Sequence, residues 1–324
     1  MKALLCKEWG VPETLVVEDV PDLQPGKGQV VIDVKAASVN FPDSLIIRNL
    51  YQIKPALPFS PGGECAGVIR AVGEGVAHVK AGDRVSALTL YGSFAEQVIC
   101  DANAVVPLPE KIDFVTGACF GMVYGTSYHA LTDRGHLKAG ETLLVLGASG
   151  GVGLAAIEIG KQLGAKVIAA ASSPEKLAIC AEHGADALIN YSNEDLRARI
   201  KEITNGNGVD MVYDPVGGDL FDVALRSVTW RGRYLVVGFA AGNIPKAPVN
   251  LPLVKGSSIV GVFWGDYVTR EPGNYQRDQQ QLFAWLLEGK LHPLIVAQYP
   301  LARGGEAIRS LMDRKISGKV VITP

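Results

Sequence analysis

The sequence predicts an α/β protein in two parts: a small, mostly antiparallel, barrel-like β domain, and a doubly wound domain with a parallel sheet covered by helices. Three observations predict it. The stretch Leu143–Gly164, LLVLGASGGVGLAAIEIGKQLG, reads as a buried strand, a tight turn of small residues and a helix. From about residue 122 to 264, strand and helix patterns alternate, which implies parallel strands joined through helices. Before about residue 120, short β-rich runs alternate with Gly and Pro punctuation instead. A chain of 324 residues is long enough to fill two separate cores.

In chain order, the first domain carries strand patterns at Gln29–Val39, Ala66–Val72, Arg84–Leu88 and Phe94–Cys100. Turns at Pro61-Gly62-Gly63, Gly73-Glu74-Gly75 and Ala81-Gly82-Asp83 separate them. The uninterrupted apolar run Leu143–Leu146 then suits a strand buried on both faces. Ala148, Gly150 and Gly153 follow at the spacing of the dinucleotide fingerprint, with Ala in the first position. Small residues there permit a tight turn, let the backbone approach a pyrophosphate and let the helix lie close on the strand. The helix turns Val152, Ala155, Ala156, Ile159 and Leu163 to one face and stops at Gly164. Its free N–H groups and positive dipole end suit phosphates.

Lys166–Ala171 supplies the second strand. The alternation continues through Ser173–His183, Ala187–Tyr191, Asn193–Thr204, Val209–Asp214, Asp219–Val228, Tyr234–Gly238 and Ser258–Phe263. Ser173 is placed to cap its helix, with Pro174 at the first helical position. Ser192 with Asp195 resembles a capping box in which Asp replaces Glu. The tail shows helical patterns at Asp278–Leu287 and Gly305–Arg314 and ends in a strand, Lys319–Thr323. A strand returning to the first domain gives domain bounds of 1–121 with 265–324, and 122–264 inserted between them.

A formal net charge of −2 gives no electrostatic ground for nucleic-acid or anionic-membrane binding. The N-terminus, MKALLCKEWGVPE, is a poor secretory signal. The longest uncharged stretch is the glycine motif itself, whose pattern argues against a membrane span. A cytoplasmic protein is expected. Cys6, Cys65, Cys100, Cys119 and Cys180 contain no CxxC pair and read as reduced, buried thiols. His78, His129, His136, His183 and His292 form neither HxxxH nor HExxH, so no metal site is expected.

The cofactor is read from the end of the second strand, where a carboxylate would bind an adenosine ribose 2′-OH. That place holds Ala171, Ser172 and Ser173, with Lys176 one helical turn on. Ser173 and Lys176 are also a plain cap and a solvated charge. The missing acid and the added base nevertheless both favour NADPH over NADH.

These phrases together resemble the zinc-independent quinone oxidoreductase (zeta-crystallin-like) family of the medium-chain dehydrogenase/reductase superfamily. The resemblance rests on Val39–Tyr51, Pro61–Val76, Ala81–Val85, LGASGGVGLAAIEIGKQLGA, ASSPEKL, INYSNEDL and Gly318–Thr323. It implies a GroES-like barrel domain and a Rossmann domain. Zinc-using relatives carry a Cys ligand near the strand end occupied here by Ser38–Asn40, and a His ligand where Gly63 stands. The closely spaced cysteines of a structural-zinc lobe are missing after Arg84.

The resemblance implies that Asn40, Asp43 and Tyr51 are the catalytic residues lining the pocket near the nicotinamide, able to orient a carbonyl or the nicotinamide amide by hydrogen bonds, with Tyr51 also able to donate a proton. On the residues alone, Asn40 and Asp43 flank Pro42 and suit a turn, and Tyr51 suits a half-buried aromatic. It further implies Ser149, Gly150, Gly151 and Val152 at the pyrophosphate, and Ser172, Lys176 and Tyr191 at the adenosine end. Gly238, Phe239 and Ala240 would meet the cofactor at a strand end. Val262, Phe263 and Trp264 would meet the nicotinamide or a subunit interface. The loop Asp214–Gly218 would pass the nicotinamide or simply start a helix. Thr126 is expected to open a helix near the domain junction and is a further candidate for contact with the cofactor. Lys319 would meet the cofactor or cap the last strand.

The activity so implied is hydride transfer from NADPH to a quinone or another conjugated carbonyl, in a homodimer whose run Ser258–Trp264 pairs at a sheet edge. Two rivals stand beside it. One is an enone, enal or enoyl-thioester reductase; the other is an NADPH-binding structural or RNA-binding protein with little turnover. The metal-free reading has a direct check. Activity is expected to survive a strong chelator, and its loss on chelation with recovery on adding zinc would refute the reading.

Overall fold

Backbone pairing begins with two short antiparallel strands, β1 (Lys2–Leu5) and β2 (Val16–Asp19). The computed structural model describes residues 1–313 and 316–324. The chain divides into two units: Met1–Met122 with Gly265–Leu287 and Pro293–Pro324, and Val123–Trp264 with Glu288–His292.

In the first unit, β3 (Gln29–Val39) is followed by a short helix, α1 (Phe41–Ile46), and by β4 (Glu64–Val72), β5 (Arg84–Leu88), β6 (Gln97–Asp101) and β7 (Val105–Pro107). Among the described residues β3, β4, β5 and β7 pair antiparallel in that order, and β6 pairs with the first half of β3. The strand expected from Phe94 starts at Gln97. The Phe94 N–H is spent on the Pro61 carbonyl in the Pro-Gly-Gly turn, and its carbonyl on Leu4. Val30, Ile32, Ile69, Val85, Phe94 and Ile322 fill the interior, all at or below 1 % exposure.

The helix α2 (Phe114–His129) follows. Asp113 caps it, its carboxylate accepting from the Thr116 N–H at 2.9 Å and the Thr116 hydroxyl at 2.8 Å. Thr126 therefore stands in the last turns of α2 and does not open a helix, because the cap lies thirteen residues upstream. The glycines inside α2 do not break it. A Cβ at Gly117 would lie 2.8 Å from the Leu108 side chain, so the glycine sets how closely the helix approaches the barrel.

The second unit alternates much as the sequence predicts: β8 (Thr142–Leu146), α3 (Gly151–Gln162), β9 (Lys166–Ala171), α4 (Pro174–Glu182), β10 (Ala187–Asn190), α5 (Leu196–Ile203), β11 (Val209–Asp214), α6 (Leu220–Ser227), β12 (Val228–Val236), α7 (Asn250–Lys255) and β13 (Ser258–Gly261). The exceptions are β12, which starts at Val228 instead of Tyr234, and α7, an unexpected helix that precedes the last strand. The described strands run parallel in the order β10-β9-β8-β11-β12-β13. The order reverses between β8 and β11, the switch point at which doubly wound sheets hold ligands. Leu143–Leu146 is fully buried, as its unbroken apolarity requires.

Ser173 caps α4 as expected, accepting from the Lys176 N–H. Ser192 does not cap α5. Asp195 does, accepting from the Ala198 N–H at 2.8 Å, and the Ser192 hydroxyl donates to the Ser172 carbonyl. Asp195 wins because α5 starts at Leu196, three residues later than the pattern suggests.

The tail forms α8 (Trp264–Arg270), α9 (Pro272–Leu287), β14 (Ile295–Pro300), α10 (Gly304–Met312) and β15 (Lys319–Thr323). The helix expected from Asp278 starts at Pro272; its polar first turns lack the apolar period that would reveal them, although Tyr275 and Gln279 are buried. The helix expected to reach Arg314 ends at Met312, and Arg314 lies outside the described residues. β15 returns to pair antiparallel with β3, Val320 opposite Val39. Glu288–His292 joins the second unit through Glu158 on α3. That buried carboxylate accepts from the His292 N–H at 3.0 Å and the Tyr124 hydroxyl at 2.7 Å, and meets His183 Nδ1 at 2.6 Å. Among the described residues no helix is long and apolar enough to cross a membrane.

Gly153 and Gly150 are small for different reasons. A Cβ at Gly153 would lie 2.6 Å from the Ala148 carbonyl oxygen, whereas one at Gly150 would meet only the Gly147 oxygen at 3.4 Å. Gly153→Ala is expected to cost about 1–3 kcal/mol of stability through overpacking. Gly150→Ala is expected to leave it within about 0.5 kcal/mol. Urea unfolding of the two variants checks the contrast, and equal costs would disprove it.

Candidate functional site

The turn after β8 presents the start of α3. Gly150 is its N-cap, with extended backbone angles and no side-chain cap. The first N–H groups of a helix have no intrahelical acceptor, and Gly150, having no side chain, supplies none. Ser149 is buried beside the turn, and Ser127 on α2 donates to the Val152 carbonyl at 2.8 Å, fixing the first helical turn from behind. Because the fold would admit a Cβ at Gly150, its absence leaves open a cradle over the N–H groups of Gly151 and Val152. That is the fit test a dinucleotide pyrophosphate poses, and the turn passes it.

At the ends of β9 and β10, Ser172, Lys176, Tyr191 and Ser192 are brought together. The Lys176 ammonium donates to the Ser172 hydroxyl at 3.2 Å. The Ser192 hydroxyl holds the Ser172 carbonyl at 2.9 Å, and the Tyr191 N–H donates to the Ala171 carbonyl. Glu175, beside them in sequence, is engaged at its own helix start. The Ser173 hydroxyl and its own N–H hold its carboxyl below the usual range. The cluster thus offers a cation and hydroxyls.

Gly238, Phe239 and Ala240 follow β12, the last donating its N–H to the Pro215 carbonyl. Val262 follows β13 and is buried; Phe263 is 54 % exposed, and Trp264 is buried at the start of α8. In the loop after β11, the buried Asp214 accepts from the N–H groups of Val216 and Gly217, each at 2.8 Å, and from the Tyr234 hydroxyl at 2.6 Å. This carboxylate is consumed in shaping the loop.

In the first unit, Asn40, Asp43, Glu64 and Lys319 are each at most 5 % exposed. Asn40 ends β3 and starts α1. Its N–H donates to the Asp43 carboxylate at 2.7 Å, half of a capping box. The Asn40 side chain faces inward instead: its amide donates to Glu64 Oε1 at 2.9 Å and its oxygen accepts from the Lys319 ammonium at 2.5 Å. Lys319 also reaches the Val39 carbonyl and Glu64 Oε1, each at 3.3 Å. Glu64 Oε2 accepts the Met122 N–H of α2 at 2.7 Å. All three ammonium donors of Lys319 are thereby engaged inside the barrel unit.

Two family models match the chain: an alcohol dehydrogenase GroES-like domain over residues 26–110, and a zinc-binding dehydrogenase model over 151–285. Quinone oxidoreductase-like protein 2 of Rattus norvegicus is 37 % identical over 99 % of this chain and 92 % of its own length. The quinone oxidoreductase of Pseudomonas syringae pv. Tomato DC3000 superposes with a TM-score of 0.94 at 33 % identity, covering 100 % of this chain and 99 % of its own. That of Escherichia coli, solved in complex with NADPH, gives 0.92 at 29 % identity over 100 % of both chains. The chain belongs to the zinc-independent quinone oxidoreductase-like family. It is an oxidoreductase of the medium-chain dehydrogenase/reductase superfamily.

Gly63, where the resemblance to zinc-using relatives would place a His ligand, offers no metal-binding side chain, and Ser38–Asn40 at the end of β3 contains no Cys. A Cβ at Gly63 would lie 3.1 Å from the Met122 side chain. Among the described residues no three His, Cys, Asp or Glu side chains converge on a metal-sized point. The cation that Glu64 meets is the Lys319 ammonium.

Sequence reasoning missed Glu64 as a member of this cluster. The available signal was a carboxylate inside the apolar run ECAGVI, which burial obliges to find a partner.

The cluster's charge balance falls on Asp43. Burial raises its carboxyl to about 7; the Asn40 N–H and the Lys319 ammonium oppose the rise, and the Glu64 carboxylate adds to it. Burial first, and then Asp43, lift the Tyr51 phenol above its usual range. A folded pKa near 7 against about 3.9 unfolded means that the native state retains a proton the unfolded chain has lost. Stability from this group is therefore full below about pH 4 and is lost as pH rises through about 7. Asp43→Asn is expected to remove roughly 2–4 kcal/mol of that decline. Urea unfolding across the window measures it, and an unchanged slope would refute the assignment.

Proposed function

We propose that this chain is an NADPH-dependent, zinc-free reductase that passes hydride to a quinone or another electron-poor conjugated carbonyl. The observation that carries the cofactor choice is the Lys176–Ser172 contact at the end of β9, with the Glu175 carboxylate engaged elsewhere. A 2′-phosphate would find a cation and hydroxyls there, while the end of β9, Ala171-Ser172-Ser173, carries no acid to receive a bare ribose. The NADPH complex of the Escherichia coli relative supports the same choice.

NADPH, when bound, supplies a hydride from its nicotinamide. The chain's own groups do the rest. The α3 N–H groups take the pyrophosphate, and Tyr191 joins Ser172 and Lys176 at the adenosine end. Gly238–Ala240 and Val262–Trp264 lie at strand ends suited to the nicotinamide side. Negative charge developing on the acceptor oxygen calls for a hydrogen-bond or proton donor. Tyr51 and the Asp43 carboxyl serve as the candidates, and Asn40, with its side chain wholly engaged, holds the β3–α1 corner in place. Lys319 acts through Asn40 and Glu64.

The exposed side chains of Ile244, Val249, Leu253, Val254 and Phe263 and the free edge of β13 support a homodimer built on the second unit. We place the enzyme in the cytoplasm, with small-molecule acceptors and neither membrane nor nucleic acid as partner.

Steady-state oxidation of NADPH with 1,4-benzoquinone, 9,10-phenanthrenequinone, a simple enone and crotonyl-CoA tests the acceptor class. Quinone turnover is expected. Turnover confined to the thioester would move the enzyme to the C=C reductases, and tight NADPH binding without any turnover would favour a binding role. Lys176→Ala is expected to raise KM for NADPH by about 10- to 100-fold, the loss of one charge-assisted contact, with little effect on NADH. Equal effects on the two cofactors would remove Lys176 from the phosphate site.

A further inference from the structure

The sheet of the second unit has a second polar end. Its strands run parallel, so their N-terminal ends lie at the edge opposite the glycine turn. A cavity of about 210 Å³ opens there, between α5, α6, the start of β12 and the end of α7. Arg197, Lys201, Arg226 and Lys255 line it, together with Asn207. A larger cavity of about 370 Å³ adjoins it and shares Asn207 and Gly208. That neighbour is lined by hydroxyl, amide and carboxylate groups, including Thr142, Asn205, Asp210 and Thr229.

The cations are placed against the folding preference of their own elements. Arg197 and Lys201 stand four apart on one face of α5, where like charges repel. Arg197 is also the second residue of that helix, where the positive dipole end disfavours a cation. Among the described residues no carboxylate pairs with either of them; Glu194 and Glu202 both bind Arg199. Arg226 is held by Asp222 at 2.6 Å. Lys255 donates to the Arg226 and Val228 carbonyls, each at 2.6 Å, which turns its ammonium to the end of α6 beside the cavity. Burial, and then Arg197 and Arg226, hold the Lys255 ammonium below the usual lysine range. Concentrated positive charge on a concave wall, with no carboxylate among the described residues paired to Arg197 or Lys201, is the electrostatic form of a phosphate site.

We propose that this cavity is a second anion site, distinct from the dinucleotide end, which takes the phosphoryl group of a small phosphorylated molecule. Arg197, Lys201 and Lys255 receive the phosphoryl oxygens, and Asn207 marks the passage to the adjoining polar cavity, which receives the hydroxylated body. The proposal does not depend on the cofactor or acceptor assigned above.

Isothermal titration of inorganic pyrophosphate into the full chain tests it, with and without NADPH and with potassium chloride at matched ionic strength as control. Wild-type protein and the Lys176→Ala variant are expected to bind one pyrophosphate at this site with NADPH present. An Arg197→Ala/Lys201→Ala double variant is expected to bind it at least about tenfold more weakly. Without anion, the double variant should melt no lower than wild type, because removing the repelling pair relieves α5; this separates lost binding from lost folding. Absence of binding to wild type, equal binding to the double variant, or an equal response to chloride overturns the proposal. So does an RNA oligonucleotide that binds more tightly than pyrophosphate and loses its affinity in the same double variant, since the cavity would then belong to nucleic acid.

Discussion

The barrel unit depends on one buried contact set, the Lys319 ammonium among Val39, Asn40 and Glu64. It joins the last strand to the end of β3, the start of β4 and, through Met122, to α2. Each partner would be costly alone: an ammonium 5 % exposed and a carboxylate 2 % exposed would both lack solvation. Together they satisfy each other, with Asn40 taking the remaining capacity. Breaking such a pair from one side typically costs about 3–5 kcal/mol, so the C-terminal strand and the β3–α1 corner hold each other in register.

Asp43 follows from the same contacts. Burial raises its pKa most; the Lys319 ammonium, which already faces Glu64, opposes the rise only in part, and the Glu64 carboxylate adds to it. Its proton is therefore held toward neutrality, beside a phenol that is itself harder to ionise than usual. The geometry that ties β15 to β3 and β4 thus also prepares a weakly acidic group at the α1 corner, a property that a reductase needing a proton can use.

The second unit is organised by backbone instead of side-chain charge. Its strand order reverses beside β8, and the turn there is made of residues small enough for α3 to start against the strand. The N–H groups at that start serve one edge of the sheet, and the cluster of Ser172, Lys176 and Tyr191 extends the polar surface along the same edge. At the opposite edge Arg197 and Lys201 have no carboxylate partner among the described residues, so positive character comes from a helix terminus and Lys176 at one end of the sheet and from side chains alone at the other.

How much of this was legible in the sequence varies with the range of the forces involved. Apolar runs, small-residue spacing and caps act locally, so β8, β9, β11, β15 and the Ser173 cap are readable from a few neighbouring residues. The competition between Ser192 and Asp195 was not, because either side chain can cap, and the choice depends on where tertiary packing starts α5. The first turns of α9 were hidden for a related reason: their buried faces carry Tyr275 and Gln279, not an aliphatic stripe. The gathering of Asn40, Glu64 and Lys319 lies furthest from the sequence. The partners are 24, 255 and 279 positions apart, and nothing local marks a lysine as the counterion of a distant glutamate. By itself the sequence determined the two-part α/β architecture, the glycine turn and the missing acid after β9, since each follows from short-range sterics and charge. Only the tertiary structure decided which polar groups share one buried environment and which cations face a common cavity, because desolvation and Coulomb forces act on neighbours in space.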